Sequence, residues 1–385
     1  MKEIKGEAKL TFTEATSIIV GHGVGSGILS VPYLASRNSW RDIIWIIVVC
    51  YCINLLMHLM IAELSYNNNG AQFIKCIEGE LFKGKAKKIA TWIVFGFLGL
   101  SVLANVVGFI TGGAAVFAAW FSIPVWAGKI VYYVLAALVV LFGMKIVGIC
   151  EKISVFAMIV VIGILFVATL IAENTGFYNT YITSSNMVAL YSMVAFSLSA
   201  VMSVPQVVKG LEGDTKKIRA SIATGTGVNV FLIVVITFMT LFACGASVSE
   251  DGALVDLSAK LGGWVGIIGY IFSLLALSTS FWANTLNLRD IIDEQTHWGT
   301  KISYLVSSVP CLIFALIGVS SFVGFTRIAS VIQVLTGIAI ILAYNKSRRR
   351  TVESPICGAF GMLPFQILVV LSSVFATLGA LAKVL

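Results

Sequence analysis

Between residues 11 and 382 the chain runs through eleven apolar stretches joined by short polar links. They cover about 11–36, 42–64, 89–119, 124–144, 150–172, 186–208, 219–243, 264–288, 302–319, 321–344 and 357–382. Each is long enough to cross roughly 30 Å of hydrocarbon at about 1.5 Å per residue. Hydrocarbon offers no partner for backbone N–H and C=O groups, so such stretches must satisfy themselves as helices. Only 11% of residues are charged, against about 25% in an ordinary soluble domain. The expected fold is an all-α polytopic membrane protein of 11 transmembrane helices, built as a single domain over 1–385. Thr11-Phe-Thr-Glu14 has the spacing of a capping box and opens the first helix.

Charge placement sets the orientation. With the N-terminus inside, twenty lysines and arginines fall on cytoplasmic segments and five on the outer side. The N-terminus is therefore expected in the cytoplasm and, after an odd number of spans, the C-terminus outside. The formal net charge of +8 is accounted for by this asymmetry, and no nucleic-acid site is expected. The seven cysteines show no CxxC spacing and read as small buried hydrophobes. The first apolar stretch is too long for a cleavable signal peptide.

The first span carries an unusual cost. Gly21-His-Gly-Val-Gly-Ser-Gly27 puts four glycines into seven residues, each worth roughly 1 kcal/mol against a helix relative to alanine. A break here is tolerable only if it lines a cavity or packs on protein. A half-helix starting near Gly27 would aim its positive end and unpaired N–H groups at that cavity, where an anion or carboxylate is favoured. The stretch has an echo in the sixth span. Ser26-Gly-Ile-Leu-Ser-Val-Pro32 is matched by Ser199-Ala-Val-Met-Ser-Val-Pro205. Paired interrupted helices in two halves of a chain point to a transporter built on inverted repeats. The alternative for Gly25 and Gly27 is close helix packing by small residues.

Two further segments narrow the reading. Pro205-Gln-Val-Val-Lys-Gly-Leu-Glu-Gly-Asp-Thr-Lys-Lys-Ile-Arg219 closes the sixth span, and Ser278-Thr-Ser-Phe-Trp-Ala-Asn-Thr-Leu-Asn-Leu-Arg-Asp290 lies in the eighth. With Gly25-Ser-Gly27 they resemble the bacterial aromatic amino acid permeases and the amino acid/auxin permeases. Both belong to the amino acid–polyamine–organocation superfamily. The resemblance covers most of the chain, including Pro310 to Lys346. It implies a five-plus-five inverted repeat of leucine-transporter type with broken helices 1 and 6. The first repeat would span 11–172, the second 186–344, and an extra helix 11 would cover 357–382.

The resemblance also implies a site. Backbone around Gly23, Gly25, Ser26 and Gly27 would hold a substrate carboxylate. The break at Phe196, Ser197 and Ser199 would supply carbonyls for the amino group and a side-chain wall. Asn105 in the third span faces either the pocket or another helix, and Phe196 is either pocket wall or an ordinary core or lipid-facing aromatic. A coupling cation, sodium or a proton, would lie between Gly21 and Val24 of helix 1 and Ala276, Thr279 and Ser280 of helix 8. Oxygen ligands suit such an ion, although serines and threonines also bond their own helix backbone. Some proton-coupled relatives place a lysine in helix 5. Here the corresponding region is read as Phe156-Ala-Met158, without a base.

Other polar residues in the spans are read more plainly. His22 beside the break either titrates or sits neutral and satisfied. Glu63 is expected to brace helices at the inner end of helix 2, His58 and Asn54 to make packing hydrogen bonds, and Arg327 to snorkel outward or gate. Nothing in the sequence resembles a nucleotide loop or a metal cluster, and no carboxylate pair is read within a membrane segment. The chain is thus read as no enzyme and without cofactors other than a coupling ion. The expected activity is cation-coupled symport of a neutral L-amino acid across a plasma membrane, a bacterial inner membrane in this reading. Segments 21–32 and 195–205 contain no Asp, Glu, Lys or Arg to pair with a charged side chain. The alternative is a non-transporting amino-acid sensor or scaffold with the same fold. A channel is the weaker rival, because no ring of charged side chains suggests a filter.

Overall fold

The computed structural model describes residue 4 and residues 8–25, 27–173, 175–176, 184–249, 253–318, 337–350 and 355–381. Ser26, Arg327 and the first part of the tenth apolar stretch lie outside the described residues, as do Glu250 and Asp251 of the outer loop. Among the described residues there is no β-strand. In chain order the helices are α1 Phe12–Gly23, α2 Gly27–Ser36, α3 Trp40–Asn67, α4 Phe73–Leu81, α5 Lys87–Phe121, α6 Val125–Leu141 and α7 Met144–Leu170. Then follow α8 Ser184–Ser197, α9 Val204–Gly210, α10 Thr215–Cys244, α11 Ala253–Leu261, α12 Trp264–Thr296 and α13 Thr300–Ile317. Residues 337–350 form α14, and α15 is Leu363–Leu381.

Eight of these elements are long and apolar enough to span a membrane, counting residues 186–210 as one, and the bent pair α1 and α2 makes a ninth. The 17-residue α6 is apolar but shorter. The expected number of eleven spans is not fixed by the described residues, since residues 319–336 fall outside them.

Helix starts follow local chemistry. Thr11 caps α1 as expected. Its hydroxyl accepts from the Glu14 N–H and the Glu14 carboxylate accepts from the Thr11 N–H, a reciprocal pair that satisfies two otherwise unpaired donors. Ser39 caps α3 and Asp214 caps α10 by side-chain acceptance from the backbone three residues on. The glycine-rich stretch ends α1 at Gly23 and lets α2 start at Gly27, with the two axes 52° apart. In the sixth apolar stretch, α8 ends at Ser197 and α-helix resumes only at Val204, with one 3-10 turn over Val201–Ser203 between them.

Packing places these two interruptions at the centre. α1 lies against α7, α10 and α12, while α2 packs on α8 and α10. α12 also contacts α5 and α13, and α15 packs on α8 and α3. The outward surface carries a belt of large apolar side chains on α5, α6, α7 and α13, the face a bilayer covers. α7 shows the division clearly. Ile153, Phe156, Val160, Val167 and Leu170 are exposed, and Glu151, Ser154, Val155, Met158, Ile162 and Leu165 are buried. The buried set recurs at three and four residues, one face of a helix.

One end of the bundle, where the N-terminal segment lies, is tied shut. The Leu10 N–H donates to Gly210 C=O at 2.8 Å, and Lys9 pairs with Glu212 at 2.5 Å. Lys145 pairs with Glu14 at 2.7 Å. Glu294 accepts from Lys209 at 2.6 Å and from the Gln72 N–H at 2.9 Å. Glu63, almost wholly buried, accepts from the Tyr344 hydroxyl and from the N–H groups of Ile356 and Cys357. It braces α3 against the chain beyond α14, in keeping with the role expected of it.

Candidate functional site

A cavity of about 180 Å3 lies between the two interruptions. One wall is Gly23, Gly25 and Gly27 from the α1–α2 junction; the facing wall is Phe196 and Ser199 from the α8–α9 junction. Asn54 of α3, Asn105 and Phe109 of α5, and Ser280 and Asn284 of α12 close the sides. Among the described lining residues there is no Asp, Glu, Lys or Arg. An engineered cavity of about 150 Å3 holds benzene, so the space suits a ring-sized side chain.

The junctions place backbone groups toward this space. A continuous helix would pair the Gly25 N–H with Gly21 C=O. Here Gly25 N–H turns to Gly23 C=O at 2.8 Å, and Gly21 C=O is left with a long 3.5 Å contact from the Ser280 hydroxyl. α2 then starts at Gly27, where the first N–H groups lack the carbonyls of a preceding turn and the Ile28 N–H reaches Gly25 C=O only at 3.4 Å. A side chain at Gly27 has little room: its Cβ would lie 2.5 Å from Ser197 Oγ and 3.1 Å from Phe196 Cδ1. Gly27 is therefore both a cavity wall and a close helix contact, so the two readings of this glycine are not exclusive.

The expected residues are distributed as follows. Gly23, Gly25, Gly27, Asn105, Phe196 and Ser199 line the cavity together. Ser197 is buried behind them, its hydroxyl donating to Met193 C=O at 2.8 Å, so its side chain does not face the space. Ser26 lies outside the described residues. Of the cation set, Ser280 reaches both Gly21 C=O and the cavity. Thr279 spends its hydroxyl on Ala276 C=O at 2.9 Å. Val24 and Ala276 are buried. His22 lines the cavity with Nδ1 2.8 Å from the Ser203 hydroxyl.

Three side chains behind the cavity, which sequence reasoning missed or placed elsewhere, pack against the two interruptions. His58 does more than pack: its Nε2 accepts from the Ala200 N–H at 3.0 Å, within the second interruption. Asn229 of α10 donates to Ile19 C=O at 3.3 Å and its amide fills the space beside Gly23. The third corrects the reading of helix 5. Phe156 faces outward, 70% exposed, and the ionisable group of α7 that lies against the last turn of α1 is Glu151. Glu151 was hidden because the fifth span was drawn from residue 150, whereas α7 begins at Met144 and carries Glu151 two turns inside. Its signal in the sequence is the single carboxylate of a long apolar helix whose other charged residues are Lys145 and Lys152.

Cavity lining that reaches the membrane-spanning helices leaves unpaired acceptors. The side-chain oxygens of Asn105 and Asn284 are buried with no hydrogen-bond partner. Each can accept from an ammonium, hydroxyl or ring N–H of a bound molecule. Among the described residues no group of histidine, cysteine and carboxylate side chains is placed to hold a metal ion.

Solved structures share this architecture. The chain matches MhsT in complex with L-phenylalanine at 16% identity and TM-score 0.69, over 97% of this chain and 99% of that one. It matches Mhp1, a nucleobase-cation-symport-1 family transporter with bromovinylhydantoin bound, at 13% identity and TM-score 0.67, over 99% and 92%. A manganese transporter of Eremococcus coleocola matches at 13% identity and TM-score 0.64, over 99% and 90%. These likenesses show the fold, that of the leucine-transporter type. No curated protein matches the sequence significantly. The chain is an integral membrane protein, and its matching family model, described as tryptophan/tyrosine permease, extends over residues 9–379. With that match over nearly its whole length, the chain belongs to the tryptophan/tyrosine permease family.

Proposed function

We propose that this permease is a secondary active symporter that moves a neutral L-amino acid, aromatic by preference, with a coupling cation by alternating access. The observation that carries the reading is the cavity between the two helix interruptions, walled by the start of α2 on one side and by Phe196 on the other. The substrate carboxylate would dock on the N–H groups of the first turn of α2, where charge and hydrogen bonding both favour an anion. Its ring would lie against Phe196 and Phe109. The absence of charged side chains among the described lining residues favours a neutral substrate. The shared interruption in the first and sixth apolar stretches supports two repeats, 11–172 and 186–344, moving against each other. The twenty-to-five distribution of lysine and arginine supports a cytoplasmic N-terminus, in a bacterial inner membrane.

Uptake of labelled L-phenylalanine into proteoliposomes tests this. Unlabelled tryptophan, tyrosine and phenylalanine should compete, and arginine and glutamate should not. Binding without uptake under either a sodium or a proton gradient would replace the symporter with a non-transporting sensor.

A further inference from the structure

Glu151 is the buried charge that the amino-acid cavity does not use. It is 0% exposed, and neither carboxylate oxygen has a hydrogen-bond partner. Oε2 occupies the place where a side chain on Gly21 would begin, and Thr279 Cβ lies 3.0 Å from that same point. Only glycine at position 21 lets α7 bring a carboxylate against the last turn of α1.

The surrounding groups do not neutralise it. On its own helix Lys145 is committed to Glu14 of α1, and Lys152 points to the exposed side. On α1, His22 turns to Ser203. On α12, Arg289 is paired with Asp290 at 2.7 Å. On α10, Lys216, Lys217 and Arg219 sit at the helix start, where Lys217 pairs with Asp214 and Arg219 donates to Pro355 C=O. On α6, Tyr132 and Tyr133 are phenols, and Lys129 donates to Ala315 C=O.

What does face Glu151 favours a positive ion. The C-terminal end of α1 carries the negative end of its helix dipole. The break strips Gly21 C=O of its helical donor, leaving only the 3.5 Å contact from Ser280. A desolvated carboxylate without a partner costs several kcal/mol, and a small cation with oxygen ligands removes that cost.

We propose that Glu151 binds the coupling monovalent cation, and so joins α7 to the last turn of α1 while that cation is present. The chemistry is shared by sodium and a proton, since either neutralises the carboxylate. With the cation gone, the uncompensated charge pushes α1 away from α7 and toward water. The inference rests on the symport reading above.

The test uses purified full-length protein in liposomes, with labelled L-phenylalanine. Uptake is driven either by a sodium gradient at fixed pH or by a pH gradient in sodium-free buffer. Wild type should accumulate phenylalanine under one of the two gradients, which identifies the cation. Glu151→Gln should lower the ratio of gradient-driven accumulation to phenylalanine exchange by about tenfold or more. A ratio within about twofold of wild type, including a case where both activities fall together, overturns the proposal. Glu151→Asp keeps the charge at shorter reach and decides the matter if the glutamine variant fails to fold. It should accumulate phenylalanine with a higher half-saturating cation concentration, and an unchanged value overturns the proposal. Failure of wild type to accumulate under both gradients overturns the symport reading itself, a different result from a wild type that couples and a Glu151→Gln variant that couples equally well.

Discussion

The backbone N–H of Ala200 donates to Nε2 of His58 across 3.0 Å, in a place where α8 has ended and α9 has not begun. Because Nε2 accepts, the ring proton lies on Nδ1, which faces the Thr226 hydroxyl at 3.3 Å. One histidine from α3 thus supplies the partner that the interrupted helix lacks and ties it to α10.

His58→Leu should therefore strand the Ala200 N–H in a dry interior, at a cost of about 1–3 kcal/mol. The expected result is a lower melting temperature and weaker amino-acid binding by the purified protein. His58→Gln, whose side-chain carbonyl can accept the same bond, should recover part of both. Equal losses in the two variants would remove His58 from its role at the interruption.

At Gly27 the predictions separate packing from binding. Gly27→Ala sets a methyl 2.5 Å from Ser197 Oγ, so it should lower stability. Adding Ser197→Ala removes that oxygen and should restore the melting temperature. Binding should not return with it in Gly27→Val/Ser197→Ala, because the branched side chain occupies space beside the first N–H groups of α2. Thermal unfolding and ligand binding on the same samples check this, and normal binding by a folded Gly27→Val protein would place the carboxylate elsewhere.

Phe196 should matter for the ring and not for the amino-acid backbone. An aromatic pair adds about 0.5–1.5 kcal/mol beyond buried area. Phe196→Ala is expected to weaken phenylalanine and tryptophan by roughly threefold to tenfold more than it weakens alanine or serine. Competition curves over that panel measure the difference. A uniform loss across the panel would make Phe196 a packing residue.

Asp214, outside the spans, gives a pH-dependent cap. The Lys217 side chain, and after it the Lys217 N–H at 3.1 Å, hold the Asp214 carboxyl below its ordinary 3.8. A carboxyl lowered by folding stabilises above its unfolded pKa and loses that contribution as pH falls through the lower folded value. Asp214→Ala should cost about 0.5–2 kcal/mol at neutral pH, and the gap to wild type should narrow in acid below about 3.8. Asp214→Asn keeps an acceptor at the cap and should show a smaller gap. Melting temperatures at neutral and acid pH decide it.

Much of this was legible in the sequence. Length and apolar character required helices, because hydrocarbon leaves the backbone no other partner. Four glycines in seven residues marked where the first helix would stop, a local property of residues with no Cβ. Thr11 and Glu14 announced the start of α1 because a capping box is complete within four residues. Family membership was legible in three short motifs, and Gly23, Gly25, Gly27, Asn105, Phe196 and Ser199 do meet around one cavity. What only the tertiary structure decided is which faces turn toward one another. A helix that is apolar on every side carries no stripe to say which face goes in. Hydropathy therefore could not show that Ser197 turns from the cavity into its own helix, or that His58 of α3 would reach Ala200. Nor could it show that Glu151, five residues before the stretch expected to face helix 1, would lie against Gly21. That contact depends on where α7 begins and how it rolls against α1, and both are set by the packing of helices far apart in the chain.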